Sequence, residues 1–193
     1  MYESIRSHVE EIIQISDLEF EEFKSILAPQ RLRKKEFLIQ PGSFVDTEYY
    51  VVKGCVEAFH TSEAGEQSVV QFAIEDWWIS DFSAFFNETP ARLSVSCLED
   101  SLVLGLKKNN LEELYKRIPN FERFFRIKTT RAFISLTARV QAGLEKNSKQ
   151  RYLDFCKTYS NIEKRVPNYR IASYLGIKPE SLSRIRKELS VLD

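Results

Sequence analysis

The sequence predicts an α+β protein: an N-terminal antiparallel β domain with flanking helices, then one long helix, then a small helical domain. Three features predict it. From about Arg31 to Leu106, short alternating segments rich in β-branched and aromatic residues are separated by turn signals. After Lys107 the apolar spacing becomes helical, with one unbroken stretch from Pro119 to about Leu144. From Asn147 onward the charge balance reverses, and two short helices follow each other closely. The three parts span residues 1–118, 119–146 and 147–193.

Residues 2–29 read as helix. Ile5, Val9, Ile12 and Ile13 recur at helical spacing, Ser16 to Glu19 supplies a fresh N-cap before Phe20 and Phe23, and Pro29 is the expected stop. Strands are expected at 36–39, 49–52, 55–59, 67–72, 94–97 and 102–106. They are punctuated by Pro41-Gly42-Ser43, Lys53-Gly54 and Glu63-Ala64-Gly65-Glu66. Such spacing indicates an antiparallel sandwich or barrel. Asn109 or Asn110 is expected to cap a short helix over 111–118. The long helix that follows, about 25 residues and roughly 37 Å, is far longer than a small β domain needs. Phe121, Phe125, Ala132, Leu136, Val140 and Leu144 line one face, widened by Phe124, Ile127 and Phe133. Two readings fit this wide stripe: a core helix of a single chain, or a helix that packs on its own body and on a second copy. Gly143 and the polar run to Ser148 mark a hinge, followed by a helix over 149–159 and a short polar turn.

Composition narrows the class. Hydrophobic residues make up 43 % of the 193, with 14 Phe, 8 Tyr and 2 Trp, enough for a sizeable core. No apolar run reaches the roughly 18–20 residues that span a bilayer, and the charged N-terminus has no signal-peptide pattern. A soluble, cytoplasmic protein with no membrane partner is expected. Cys55, Cys97 and Cys156 fit neither a disulfide framework nor a CxxC site; they read as reduced thiols, with a lone redox-sensing thiol as the alternative. His8 and His60 are too separated for a metal constellation, so neither metal nor cofactor is expected. No paired catalytic carboxylates, nucleophile elbow, Cys–His pair or Gly-rich phosphate loop is present, so no enzymatic role is expected. Net charge is zero, yet residues 147–193 carry ten Lys and Arg against five acids, leaving the first 146 residues at −5. A basic tail on an acidic body suggests a polyanionic partner.

The tail explains that charge. Asn168 is expected to cap a helix whose inward face is Ile171, Ala172 and Leu175, with Ala172 small where two helices meet. Gly176 suits a left-handed C-cap, Ile177 plugs the turn, and Pro179 falls in the first turn of the next helix. There Leu182, Ile185 and Leu189 point inward, leaving Lys178, Glu180, Ser181, Ser183, Arg184 and Lys187 outside. This is the construction of a helix-turn-helix, whose second helix lies in the major groove of double-stranded DNA. Arg grips guanine bidentately and Glu accepts from the cytosine amino group. Phosphate contacts are expected from Lys149, Arg151, Lys157, Arg170 or Lys187.

The run Ile171-Ala-Ser-Tyr-Leu-Gly-Ile-Lys-Pro-Glu-Ser-Leu-Ser-Arg-Ile-Arg-Lys-Glu-Leu189 resembles the recognition segment of the CRP/FNR family of bacterial transcription regulators. Arg151, in Lys149-Gln-Arg-Tyr-Leu153, resembles the Arg that opens their DNA-binding domain. Tyr50-Val-Val-Lys-Gly54 resembles their cyclic-nucleotide-binding jelly roll, and the resemblance covers nearly the whole chain. It implies a sensor domain over 1–118, a dimerisation helix and hinge over 119–146, and a winged-helix-like DNA-binding domain over 147–193. Four residues follow Leu189, so little or no wing is expected. The resemblance also implies base-edge contacts from Pro179, Glu180 and Arg184. Pro179 replaces a side chain able to donate, which leaves Glu180 and Arg184 as the expected readers. A homodimer on a roughly palindromic operator, and RNA polymerase as a further partner, are implied.

In cyclic-nucleotide binders of that family a Gly-Glu-Leu turn grips the ribose hydroxyl, and an Arg-Ser or Arg-Thr pair about ten residues on holds the phosphate. Here Asp81 and Arg92 fall at those offsets, but Ser80 replaces the Gly, Asp81 is one methylene short and Leu93 replaces the phosphate hydroxyl. Trp77, Trp78, Phe82, Phe85 and Phe86 crowd the same stretch. Three readings stay open: a degenerate pocket filled by its own aromatics, a pocket for a different small-molecule effector, and cAMP binding. A second functional class also remains, a small-molecule sensor whose C-terminal helices contact a protein rather than DNA.

Overall fold

The computed structural model describes residues 1–189. Among these the chain forms nine helices and eight strands: α1 (Tyr2–Glu10), α2 (Asp17–Ser25), β1 (Leu27–Leu32), β2 (Phe37–Ile39), β3 (Thr47–Lys53), β4 (Val56–Thr61), β5 (Gln67–Ala73), β6 (Trp78–Ile79), α3 (Phe82–Asn87), β7 (Ser94–Cys97), β8 (Ser101–Lys107), α4 (Lys108–Arg117), α5 (Asn120–Glu145), α6 (Ser148–Thr158), α7 (Ser160–Arg165), α8 (Asn168–Leu175) and α9 (Pro179–Leu189). The expectation of a missing wing falls on residues 190–193, outside the described residues.

Two four-stranded antiparallel sheets, ordered β1-β8-β3-β6 and β2-β7-β4-β5, face each other as a jelly roll. Period-2 alternation sends each strand's side chains to two different cores. From β3, Tyr49 and Val51 point between the sheets, where they meet Val56, Ala58, Val95 and Val103. The intervening Tyr50 points the other way, joining Leu104, Leu106 and Trp78 against α1, α2, α4 and the start of α5. On the outer face of the second sheet, Phe59, Val69 and Phe72 pack against Tyr152, Phe155, Ile171 and Leu175 of the C-terminal domain. Both outer faces of the sandwich are therefore covered by helices.

Several sequence expectations are corrected. The N-terminal helix is two helices, with Ser16 and Glu19 closing a capping box at the second. Pro29 ends no helix; it lies in β1, an edge strand, opposite Leu104, where a missing N–H is tolerated. The helix expected at 111–118 begins at Lys108, and neither Asn109 nor Asn110 caps it. The polar turn after α6 is the short helix α7. Gly143 lies inside α5; the break is Lys146 and Asn147, where Asn147 and Gln150 form a capping box that starts α6. No helix among the described residues is long and apolar enough to cross a membrane.

Of α5, Phe121, Phe124 and Phe125 are buried. Farther along, Phe133, Ile134, Leu136, Val140 and Leu144 are all exposed, Leu144 by 84 %. The same stretch rests on its own chain on the other side: Ser135 Oγ lies 3.1 Å from the Tyr159 hydroxyl, and Arg139 donates to the Val70 carbonyl at 2.7 Å.

Candidate DNA-binding face and sensor pocket

The helix-turn-helix is α8 and α9. Gly176 turns the chain at φ +62°, left-handed as expected, and its N–H reaches the Ser173 carbonyl while that of buried Ile177 reaches Ala172. Ile171, Ala172 and Leu175 are buried in α8, Leu182 is fully buried in α9, and Ile185 and Leu189 pack partly on the same core. Lys178, Pro179, Glu180, Ser183, Arg184 and Lys187 are exposed, and Ser181 is half-buried. Arg184 Nη2 stands 3.5 Å from Ser181 Oγ, and Ser183 accepts from Asn168 Nδ2 at 3.1 Å. The α9 face thus carries the residue types expected of base readers, on a helix braced from behind.

Two of the flanking cations, Arg151 and Arg170, contact their own chain. Arg151 is half-buried and donates through Nη1 to the Leu175 carbonyl at 2.7 Å. It neutralises the carbonyl end of α8 and braces the turn. Arg170 turns toward the β domain, where it pairs with Glu57 at 3.2 Å and lies over Phe59. Its side chain is only 12 % exposed and that of Glu57 1 %. Burial pushes the Glu57 carboxyl up to about 7, against the pull of Arg170. Lys149 pairs with Glu188 at 2.6 Å, while Lys157 is exposed. Asn168 is not the cap of α8; Pro167 holds that position, and Asn168 links to Ser183 and Arg186. Sequence reasoning missed Arg165, which bonds Glu75 at 2.7 and 3.1 Å and Glu99 at 2.8 and 3.1 Å. Those partners lie 66 and 90 residues away, so no local pattern announces them.

In the sensor region, Asp81 is 2 % exposed and caps α3. Its Oδ1 accepts from the Ala84 N–H at 3.1 Å, and its Oδ2 from the Arg92 and Leu93 N–H groups at 2.9 and 3.0 Å. Ser80, also 2 % exposed, donates to the Thr47 carbonyl at 3.0 Å. The carboxylate at the ligand-gripping offset therefore holds its own backbone. Arg92 is exposed, and Leu93 packs partly on the core between the sheets. The aromatics divide: Phe85 fills the space between the sheets, Phe82 and Trp78 face the helical layer, and Phe86 lies 56 % exposed. Trp77 packs partly on the core between the sheets and partly on the core shared with the C-terminal helices. The three cysteines are free. Burial pushes the Cys55 thiol up to about 12, the opposite of what a redox-sensing thiolate requires.

Residues 29–118 match the family described as the cyclic nucleotide-binding domain. No match was found among curated protein sequences. Among solved structures, the chain is similar to the c-di-GMP-responsive global regulator CLP of Xanthomonas campestris, at 15 % identity and a TM-score of 0.72 over 91 % of this chain and 92 % of that one. It is equally similar to FixK2 from Bradyrhizobium japonicum, at 17 % identity and TM-score 0.72 over 86 % of each chain. A Eubacterium rectale protein assigned to the CRP/FNR family of transcriptional regulators matches at 13 % identity and TM-score 0.70, over 92 % of this chain and 84 % of that one. The β domain is a cyclic-nucleotide-binding-type jelly roll. The chain as a whole shares the fold of these three structures.

Proposed function

We propose that this protein is a DNA-binding transcription regulator that acts as a homodimer on a roughly two-fold-symmetric operator, with half-sites about one helical turn apart. The observation that carries the reading is the α9 face. Lys178, Glu180, Arg184 and Lys187 are exposed on a helix whose opposite side is seated through Leu182, Ile185 and Leu189, while α8 and left-handed Gly176 set its angle. The bare apolar stripe of α5 supports the dimer, because five large apolar side chains along one helix are costly to leave in water. Base readout is assigned to Glu180 and Arg184. RNA polymerase is the further partner of such a regulator. Any effector of the degenerate pocket is a small molecule other than cAMP, since Asp81 is engaged and Leu93 offers no phosphate hydroxyl.

The test is selection of duplexes from a random library with purified protein, followed by affinity measurements on the selected site. Glu180→Ala and Arg184→Ala should each weaken specific binding by about 1–3 kcal/mol for each base they read, with selectivity relaxed at one base pair. Affinity should fall steeply with salt as phosphate counterions are released. Unchanged selectivity in both variants would remove the assignment of these two readers. Salt-insensitive capture of protein partners with no selected duplex would favour the protein-contacting alternative.

A further inference from the structure

We infer that Arg165 and Arg170 are positioning residues for DNA recognition: they fasten the helix-turn-helix to β4 and to the segments after β5 and β7, and so help set the spacing of the two recognition helices in the dimer. The inference rests on the DNA-binding reading above and adds to it the side chains that hold the recognition helix in place.

The chain passes from α5 into the C-terminal helices through Lys146 and Asn147. A two-residue link does not by itself define the direction of α9, so something else must. Three polar clamps reach across. Arg165, at the end of α7, closes a fork on Glu75 and Glu99 of the β domain. Arg170, in α8, pairs with buried Glu57 of β4. Ser173, one turn on, satisfies the free edge of β5: the Val69 N–H donates to its hydroxyl at 2.9 Å, and the hydroxyl donates to the Gln67 carbonyl at 3.0 Å. β5 is the last strand of its sheet, so this side chain occupies an edge that would otherwise face water. Arg139 of α5 adds a tie, donating to the Val70 carbonyl and lying 4.5 Å from the Tyr174 ring.

The clamps hold the domain with its reading face outward. Glu180 and Arg184 remain exposed in the docked arrangement. Their direction relative to α5 is set by the clamps acting together with the apolar core that Phe59, Val69 and Phe72 share with Tyr152, Phe155, Ile171 and Leu175. In a dimer built along α5, that direction becomes the distance between half-sites, and a fixed distance makes binding of the second half-site intramolecular. The Arg170–Glu57 pair is also imperfect: Glu57 Oε2 and Arg170 Nε are buried without hydrogen-bond partners. A buried pair so incompletely satisfied contributes orientation more than stability. Its position in α8 explains why a cation expected at phosphate faces inward.

The experiment compares wild type, Arg165→Ala and Glu75→Ala on two duplexes drawn from the library selection, one with both half-sites and one with a single half-site. Arg165 is partly exposed, so the variant is expected to fold, and Glu75→Ala breaks the same clamp from the other domain. Two-site affinity should fall by about tenfold or more, with single-site affinity unchanged within about twofold. Duplexes with one or two base pairs added between half-sites should be discriminated less sharply. Hydrogen exchange at the Val69 amide, bonded to Ser173, should quicken in both variants. Faster exchange with an unchanged two-site to single-site ratio and an unchanged spacing profile would overturn the positioning role, leaving a merely structural clamp. Equal loss on both duplexes would overturn it too. A wild type that binds neither duplex would instead overturn the DNA-binding reading, and this inference with it.

Discussion

Replacing Asp81 by Ala should damage the fold and leave nucleotide binding unaltered. Its carboxylate, nearly inaccessible to water, accepts from three N–H groups in two segments: Ala84 at the start of α3, and Arg92 and Leu93 on the approach to β7. Losing a helix cap costs about 1 kcal/mol. Each hydrogen bond to a charged acceptor contributes about 1.5–3 kcal/mol, offset by the cost of burying the charge. The net loss should be about 3 kcal/mol, which at a typical urea slope near 2 kcal/mol/M lowers the midpoint by about 1.5 M. Asp81→Asn keeps one acceptor oxygen and should lose roughly half as much. Thermal melts of the wild type with and without millimolar cAMP complete the assay, because a ligand that binds the native state raises Tm. An Asp81→Ala loss below about 1 kcal/mol, or a clear rise in the wild-type Tm with cAMP, would refute the assignment of this carboxylate to its own backbone.

Gly54→Ala should cost about 3 kcal/mol or more: φ is +112°, and a Cβ there would lie 2.2 Å from Ser101 Oγ and 2.8 Å from its Cα. Gly143→Ala, with open space around it inside α5, should instead stabilise by about 0.5–1 kcal/mol; denaturant midpoints separate the two, and a loss at Gly143 would return it to a hinge role. Glu48→Gln tests a buried carboxyl that desolvation pushes up to about 7, with Lys128 opposing. A raised carboxyl pKa gives stability that is full below its ordinary value near 4.5 and is lost as pH rises through about 7, a swing of about 3 kcal/mol. Burial pushes the Lys128 amine well down, which gives the opposite slope, so the expected readout is the difference: wild type should lose stability relative to the variant from pH 5 to 8, and a constant difference would exclude Glu48 as a source. Leu136→Glu with Val140→Glu should weaken self-association by at least about 3 kcal/mol, roughly two orders of magnitude. Sedimentation equilibrium would show it, and an unchanged mass would remove α5 from the interface.

What could be read from the chain depended on the range of the interaction. The α9 face was legible because helical spacing places Leu182, Ile185 and Leu189 on one side whatever lies beneath, leaving Glu180 and Arg184 on the other. The capping box at Ser16 and the left-handed Gly176 were legible because their partners lie within a few residues. β1 was not: Leu27–Leu32 carries a Pro and a run of four exposed residues with no alternation, Ala28 to Arg31, and the helical pattern before it ran straight into Leu27. α3 was hidden because its five neighbouring aromatics go to different layers of the structure, so no single period describes them.

The sequence by itself determined the order of parts, the long helix and the exposed face of α9, since each follows from local periodicity and turn chemistry. Tertiary structure alone decided the fate of the charged side chains. Arg151, Arg165 and Arg170 look alike in a basic tail, yet one closes the end of α8, one forks onto Glu75 and Glu99, and one meets Glu57 of β4. Asp81 likewise stands at a ligand-gripping offset but is spent on the amides of Ala84, Arg92 and Leu93. A charge on a flexible stem takes the strongest partner within reach, and which partner is within reach depends on residues brought close only by folding.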